Sequence, residues 1–265
     1  MRYCGTECDK VRPWSQLQAR KGAMVLADWW DRVTGRAGKR EVFPSRFGEA
    51  AVYAMPAEDG SLVRMLNVGG VLQSATYLDE RWATCPFAYL RSFDHLFEAV
   101  LPEALDPLVV NRVLMLGGAG FAYPKQLLLE HPGVALDVVE IDPAMVQIAR
   151  ERFFLDRLEM QLAAEGRPDD LRIFVEDGEA FLRRSDDALY DAIINDVFVG
   201  REAVPFFASD EGIACARARL TPGGLLMANC VVEYTGAAMY RLFSQVERLR
   251  GHFANVYVLS LIHIS

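Results

Sequence analysis

Residues 112–143, RVLMLGGAGFAYPKQLLLEHPGVALDVVEIDP, constrain the fold more than any other stretch of the chain. Residues 113–116 are a short apolar run that ends in glycine, as a parallel strand buried on both faces does. Gly117, Gly118 and Gly120 allow a tight turn in which backbone can approach a ligand. Residues 123–130 read as a helix with Pro124 in its first turn, where the missing N–H costs nothing. His131-Pro132-Gly133 stops that helix. Residues 134–139 form a second apolar, β-branched run, closed by Glu140. Strand, glycine turn, helix, strand and acid in this order make the βαβ unit that holds an adenosine. In such a unit the helix start faces the polar end of the ligand and the acid accepts hydrogen bonds from the ribose hydroxyls. The turn matches G-x-G at Gly118 and Gly120 but carries Tyr123 at the third glycine position. That weakens a dinucleotide reading, because the third glycine gives NAD and FAD sites their close helix–strand packing.

The alternation continues downstream. Asp142-Pro143 is an N-cap with proline at the first helical position. It opens a long helix to about Ala164, ended by Gly166-Arg167-Pro168. Residues 171–175 are a third strand, followed by Glu176-Asp177-Gly178 and a short helix over 179–184. Residues 190–195 are a fourth strand, followed by Asp196. Ser209 caps a helix to Leu220, and Pro222-Gly223-Gly224 turns into a fifth strand over 225–232. Residues 236–250 form a helix and 255–259 a sixth strand. This is the pattern of an α/β fold, a doubly wound, mostly parallel sheet with helices on both faces. Ligands bind at the carboxyl ends of such strands. The glycine turn, Glu140, Asp177 and Asp196 fall at those ends, on strands one to four in order.

The amino-terminal part reads differently. Residues 1–41 form a leader in which 24–33 suit a short amphipathic helix bearing Trp29 and Trp30, and 35–40 a basic linker. Residues 42–104 read as a small β domain with a linking helix. Its segments at 50–55, 62–68 and 71–77 are separated by Glu58-Asp59-Gly60 and Gly69-Gly70, both hairpin signals. Such a sheet is too small to be stable alone and must pack on the downstream α/β region. Residues 86–100 carry Phe87, Leu90, Phe93, Leu96, Phe97 and Val100 at helical spacing, ended by Leu101-Pro102. The nucleoside-binding domain then takes residues 105–259, and 260–265 are a tail.

With 52% hydrophobic and 24% charged residues, the 265-residue chain can bury a real core. Its net charge of −8 argues against non-specific binding to nucleic acid or an anionic membrane, which needs a basic surface. No apolar run reaches the length of a membrane span, and no apolar segment follows the first charges as in a signal peptide. The five cysteines, Cys4, Cys8, Cys85, Cys215 and Cys230, are odd in number and scattered, as in a reduced, cytoplasmic protein. Cys4 and Cys8 lack the second close pair of a metal site, so no metal is expected.

The motifs V-L-M-L-G-G-A-G, V-E-I-D-P, E-D-G-E-A-F-L, Y-D-A-I-I-N-D and L-T-P-G-G, taken in order, resemble the spermidine synthase family. L-N-V-G-G-V-L-Q-S and F-A-Y-L-R-S-F-D-H-L extend the resemblance towards the amino terminus, so that it covers residues 47–259. It implies a class I, S-adenosylmethionine-type methyltransferase fold behind a small β domain, a small-molecule acceptor and a homodimer. On the cofactor side it implies Gly117, Gly118, Ala119, Gly120, Glu140, Ile141, Asp142, Asp177, Gly178 and Asp196. Of these, Glu140 holds the ribose, Asp177 the adenine amino group, and Asp196 flanks the reacting centre as the catalytic residue. Gln73, Tyr89 and His95 line the acceptor side.

Three departures bear on the chemistry. Family aminopropyltransferases have an Asp in a G-G-G-D-G-G turn that holds the ammonium of decarboxylated S-adenosylmethionine; here that position is Gly120. Their D-S-S-D is Asp196-Val197-Phe198-Val199, and their Tyr-Gln-Glu is Tyr89-Leu90-Arg91. Losing a charge-assisted hydrogen bond costs about 1.5–3 kcal/mol. A bare turn at a helix N-terminus favours a carboxylate by about 0.3–1 kcal/mol. The residues therefore favour S-adenosylmethionine and methyl transfer to a less cationic acceptor. The alternative is the decarboxylated donor and a genuine polyamine aminopropyltransferase. A non-catalytic nucleoside-binding module and a nicotinamide oxidoreductase are two further readings. Residues 259–265, LSLIHIS, resemble translated sequencing-adaptor read-through and read as non-native. The seventh strand that family members insert beside the sixth is then missing.

Overall fold

The amino-terminal segments become a four-stranded antiparallel meander: β1 (Glu41–Ser45), β2 (Gly48–Pro56), β3 (Leu62–Val68) and β4 (Val71–Tyr77). Gly69 and Gly70 both take positive φ between β3 and β4, as a tight two-residue hairpin requires. The pattern reading omits β1 because Glu-Val-Phe-Pro-Ser is short and contains Pro44. Proline cannot donate to a ladder and is confined to sheet edges, which is where β1 lies. In β4, Ser74 pairs with Leu66 and Leu72 with Asn67, so Gln73 is the extra residue of a bulge. The computed structural model describes residues 40–57, 59–98, 109–184, 188–200, 202–231 and 235–259, all within the unit Arg40–Ser265. The expectations for residues 1–39, the end of the linking segment beyond Glu98, and the tail 260–265 lie outside them.

Residues 86–98 correct the expected long helix. Only α1 (Ala88–Arg91) is α-helical, and a 3-10 turn, Ser92–Phe97, comes next. Phe87, Leu90, Phe93 and Leu96 are all buried. Their spacing is three residues throughout, which suits a 3-10 turn as well as an α-helix. Tertiary bonds favour the tighter form: the Asp94 carboxylate accepts from the Tyr123 hydroxyl at 3.0 Å and from the Gln126 amide at 3.0 Å.

The second sheet is parallel throughout. Its elements are β5 (Arg112–Leu116), α2 (Ala122–Glu130), β6 (Ala135–Glu140), α3 (Pro143–Arg152), α4 (Leu155–Ala164), β7 (Leu171–Val175), α5 (Gly178–Leu182) and β8 (Tyr190–Asn195). A short hairpin comes next, β9 (Phe198–Val199) and β10 (Glu202–Ala203), then α6 (Asp210–Ala218), β11 (Leu220–Ala228) and α7 (Gly236–Arg250). Strand order is β11-β8-β5-β6-β7. The chain winds outward from β5 to β7 and then returns to the other side of β5. The reversal makes the carboxyl ends of β5, β6 and β8 the place where a ligand fits.

Two further expectations are corrected. The helix predicted from Pro143 to Ala164 breaks at Phe153-Phe154, where Phe154 takes φ +62°. The last carbonyls of α3 turn to side-chain donors instead of continuing the helix. Phe153 accepts from the Lys125 ammonium at 2.6 Å, and Arg152 accepts from Arg64. Lys125 also reaches Thr76 of β4 at 2.9 Å. It is fully buried, and burial pushes its ammonium down to about 7. Residues 255–259, expected as the sixth strand, form no strand. Tyr257, Val258 and Leu259 lie exposed without a ladder partner among the described residues, and β propensity without a partner does not make a strand. The fifth strand starts earlier than expected, at Leu220, with an irregular register before Leu225.

The two sheets are tied by named contacts. Arg152 pairs with Glu41 at 2.7 Å, and the Arg46 N–H donates to the Asp142 carboxylate at 2.7 Å. Among the described residues, no helix is long and apolar enough to cross a membrane.

Candidate functional site

The glycine turn closes around one carboxylate. Glu140, at the tip of β6, is 7% exposed. Its Oε2 accepts from the Gly118 N–H at 3.0 Å and the Ala119 N–H at 2.9 Å, and its Oε1 from the Asp142 N–H at 2.9 Å. Gly117 donates its own N–H to the Val139 carbonyl at 2.9 Å. The amides of residues 117–119, expected to lie bare, are thus engaged, and an anionic carboxylate sits among them. This removes the physical ground for expecting a ligand carboxylate at the turn.

Each turn glycine answers to a different neighbour. At Gly117, with φ +91°, a Cβ would meet the Asp196 carbonyl oxygen at 2.7 Å, so the tips of β5 and β8 touch. At Gly118 a Cβ would meet the Phe121 ring at 2.9 Å and Val138 at 3.0 Å. Close packing onto the core, not room for a ligand, therefore demands that glycine. At Gly120 a Cβ would meet Ser74 at 2.6 Å. Besides Gly117, positive φ falls on two non-glycine residues of the turn, Ala119 (φ +44°) and Phe121 (φ +54°). These lie at glycine positions of the G-G-G-D-G-G pattern, and here the turn holds backbone strain.

The neighbouring tips bring Glu140 and Asp177 to the same rim. The Glu176 N–H donates to the Glu140 carbonyl at 3.1 Å, directly before Asp177. Asp177 is exposed and caps α5, its Oδ1 accepting from the Ala180 N–H at 3.0 Å. Gly178 faces the Phe207 ring, 3.1 Å from its Cβ position. Asp142 is buried and caps α3 through Ala144 at 2.9 Å, while its other oxygen holds the Arg46 N–H. Both its oxygens serve the fold. Ile141 lies between Glu140 and Asp142 on the same loop.

Asp196, just past β8, is held differently. The Asn229 amide donates to its Oδ1 at 2.9 Å, and the Tyr89 side chain hydrogen-bonds it as well. Burial pushes its carboxyl up to about 7, against the lowering effect of these two bonds. Burial and the adjoining carboxyl raise the Tyr89 phenol as well. A carboxyl that titrates near neutrality at a strand tip can take up a proton at working pH.

Of the residues expected on the acceptor side, Tyr89 therefore joins Asp196. Gln73 stands in the β4 bulge directly before Ser74, the residue against Gly120. His95 is exposed and pairs with Glu98 of its own turn at 2.9 Å. Sequence reasoning missed Asn229 and Ser74. Asn229 directly succeeds the apolar run of β11, and the rule that selected Glu140 and Asp196, a polar residue where a buried strand ends, finds it too. Ser74 gives no local signal, because its contact with Gly120 depends on how two distant segments pack.

Two rim carboxylates keep acceptor positions beyond their bonds among the described residues. A carboxylate offers about four lone-pair positions. Glu140 uses three on backbone N–H groups, leaving one. Asp177 keeps one oxygen beyond its capping bond.

No family model matches the chain. It is 36% identical over 114 residues to the polyamine aminopropyltransferase of Agathobacter rectalis, covering 43% of this chain and 35% of that protein. It is 37% identical over 119 residues to polyamine aminopropyltransferase 2 of Streptomyces coelicolor, covering 43% of this chain and 20% of that protein. The matched part is thus well under half of either relative. Among solved structures, a probable spermidine synthase from Corynebacterium glutamicum superposes with a TM-score of 0.64 at 20% identity, covering 82% of this chain and 71% of that one. Spermidine synthase from Thermotoga maritima superposes with a TM-score of 0.56 at 16% identity, covering 81% and 64%. At these identities the superpositions speak for the fold.

Proposed function

We propose that this chain, which is similar over part of its length to polyamine aminopropyltransferases and shares the fold of spermidine synthases, is a transferase that uses an S-adenosyl-type sulfonium donor and a small amine acceptor. The observation that carries this reading is Asp196, a carboxyl pushed up to about 7 beside a turn braced by Glu140. When bound, the donor supplies an electrophilic carbon on a leaving group that departs as a neutral thioether. Glu140 and Asp177 hold the ribose and the adenine. Tyr89 and Asn229 fix the Asp196 carboxylate so that it accepts the proton released by the attacking nitrogen. Gln73 lines the acceptor side. The protein's main contribution is alignment of the two reactants.

Aminopropyl transfer from the decarboxylated donor is the first reading. The relatives' names favour it, and so does Glu140: its negative charge at the turn repels a donor carboxylate and attracts an ammonium. Methyl transfer from S-adenosylmethionine is the second reading. Its support is Gly120, where Ser74 leaves no room for an acidic side chain. Calorimetric titration with both donors separates them. Tighter binding of the decarboxylated form, by about tenfold, supports aminopropyl transfer, and the reverse order supports methyl transfer. Binding of neither overturns the proposal.

A further inference from the structure

Lys125 stands in the first turn of α2 and is 1% exposed. Its Nζ donates to the Thr76 Oγ1 of β4 at 2.9 Å and to the Phe153 carbonyl, at the break between α3 and α4, at 2.6 Å. Thr76 is itself fully buried and donates its own hydroxyl to the Trp82 carbonyl at 2.9 Å. One amine thus joins the amino-terminal sheet to α2 and to the end of α3, at a point closed to water.

The groups around this amine supply no counter-charge. Among the described residues, its hydrogen bonds go only to the Thr76 hydroxyl and the Phe153 carbonyl, both neutral. β4 carries no charged residue. β3 contributes the Arg64 guanidinium, which donates to the neighbouring Arg152 carbonyl. The Arg152 side chain of α3 pairs with Glu41 at 2.7 Å, and Arg157 of α4 lies over the Trp82 ring at 4.3 Å. Cys85, before α1, is a neutral thiol, because burial pushes it up to about 12. A neutral amine has two N–H donors, and the site offers two oxygens. An ammonium has three donors. The third meets only the Phe154 ring, whose centroid is 5.8 Å from Nζ and which Arg64 also approaches, at 5.9 Å. Burial without a counter-charge favours the neutral form.

We infer that Lys125 is a pH-sensitive latch on the seam between the two sheets: as a neutral amine it closes β4 onto the α3–α4 break, and taking up a proton loosens that seam. Burial, with Arg64 acting the same way, pushes the amine from 10.5 down to about 7. Between those values the open, solvated lysine holds a proton that the buried one lacks. Lowering the pH across that window therefore favours the open seam, and below about 7 the effect is complete. The inference is independent of the transferase reading.

Native-state amide hydrogen exchange, corrected for the intrinsic rate at each pH, tests it on wild type and Lys125→Met. Lys125→Met keeps the length of the side chain and removes its titration. In wild type the opening constant over residues 72–77 should be about tenfold larger at pH 8 than at pH 9. In Lys125→Met it should be the same at both. The amides of α6, which packs in a separate apolar cluster on Leu114, Phe181 and Ile193, should show no such change in wild type. That internal control carries the test if Lys125→Met does not fold. A wild-type β4 without the change, an equal change in α6, or an equal change in Lys125→Met overturns the latch.

Discussion

Two corners of the same sheet edge carry acids, and they hold them in opposite ways. At the β6 and β7 tips, Glu140, Asp142 and Asp177 all accept from backbone N–H groups. These acids shape the turn and cap two helices through backbone bonds. At the β8 tip, Asp196 is held by two side chains and withdrawn from water, which pushes it up to about 7. Residue type and place on the rim are shared, but the source of the hydrogen bonds differs. Under the proposed function, that difference separates acids that position a ligand from the one that exchanges a proton.

The comparison is sharpened most by Asp196→Asn. It keeps the shape and removes the base, so turnover should fall by about 10²–10⁴ while nucleoside binding persists; an active variant breaks the assignment. The same variant tests stability. A carboxyl raised from 3.8 to about 7 binds more protons folded than unfolded between those values. Its stabilising contribution is therefore fully present below about pH 4 and is lost as pH rises towards 7. In denaturant titrations Asp196→Asn should lack that slope, and an unchanged slope would mean that Asp196 titrates normally.

Glu140→Gln is the matching change at the other corner. It should weaken nucleoside binding about tenfold and lower stability by about 1–2 kcal/mol, because the bonds to the turn amides lose their charge. A variant as stable as wild type would show that the clamp is not what holds the turn. Asn229→Ala removes a bond that lowers the Asp196 carboxyl. The acid limb of the pH–rate profile should then move to higher pH, with turnover at high pH retained; a limb that stays in place refutes the coupling. The smallest effect is expected from Ala119→Gly. Relief of the left-handed strain should raise thermal stability by about 0.5–1 kcal/mol, and a loss would show that Ala119 packs more than it strains.

Much of this was legible along the chain. The βαβ unit, the succession of strands and helices along the chain and the acids at the strand tips come from apolar runs closed by polar residues, which is local information. What the pattern could not show depends on tertiary contact. A three-residue spacing at Phe87, Leu90, Phe93 and Leu96 is ambiguous between two helices until Asp94 finds Tyr123. The break at Phe153 needs the Lys125 ammonium from another helix. The apolar residues at 255–259 promise a strand, and among the described residues they have no ladder partner. The glycines named the turn correctly but not its occupant: no reading of the sequence shows that Glu140 reaches back across 22 residues to the Gly118 amide.

The claim that organises these contrasts is that one rim carboxyl, Asp196, held by side chains, is pushed up to about 7. Carbon-13 NMR of the Asp196 side-chain carboxyl across pH measures it directly, with Asp196→Asn identifying the resonance. The account predicts a midpoint at about 7. A midpoint in the ordinary aspartate range, near 4, would contradict it.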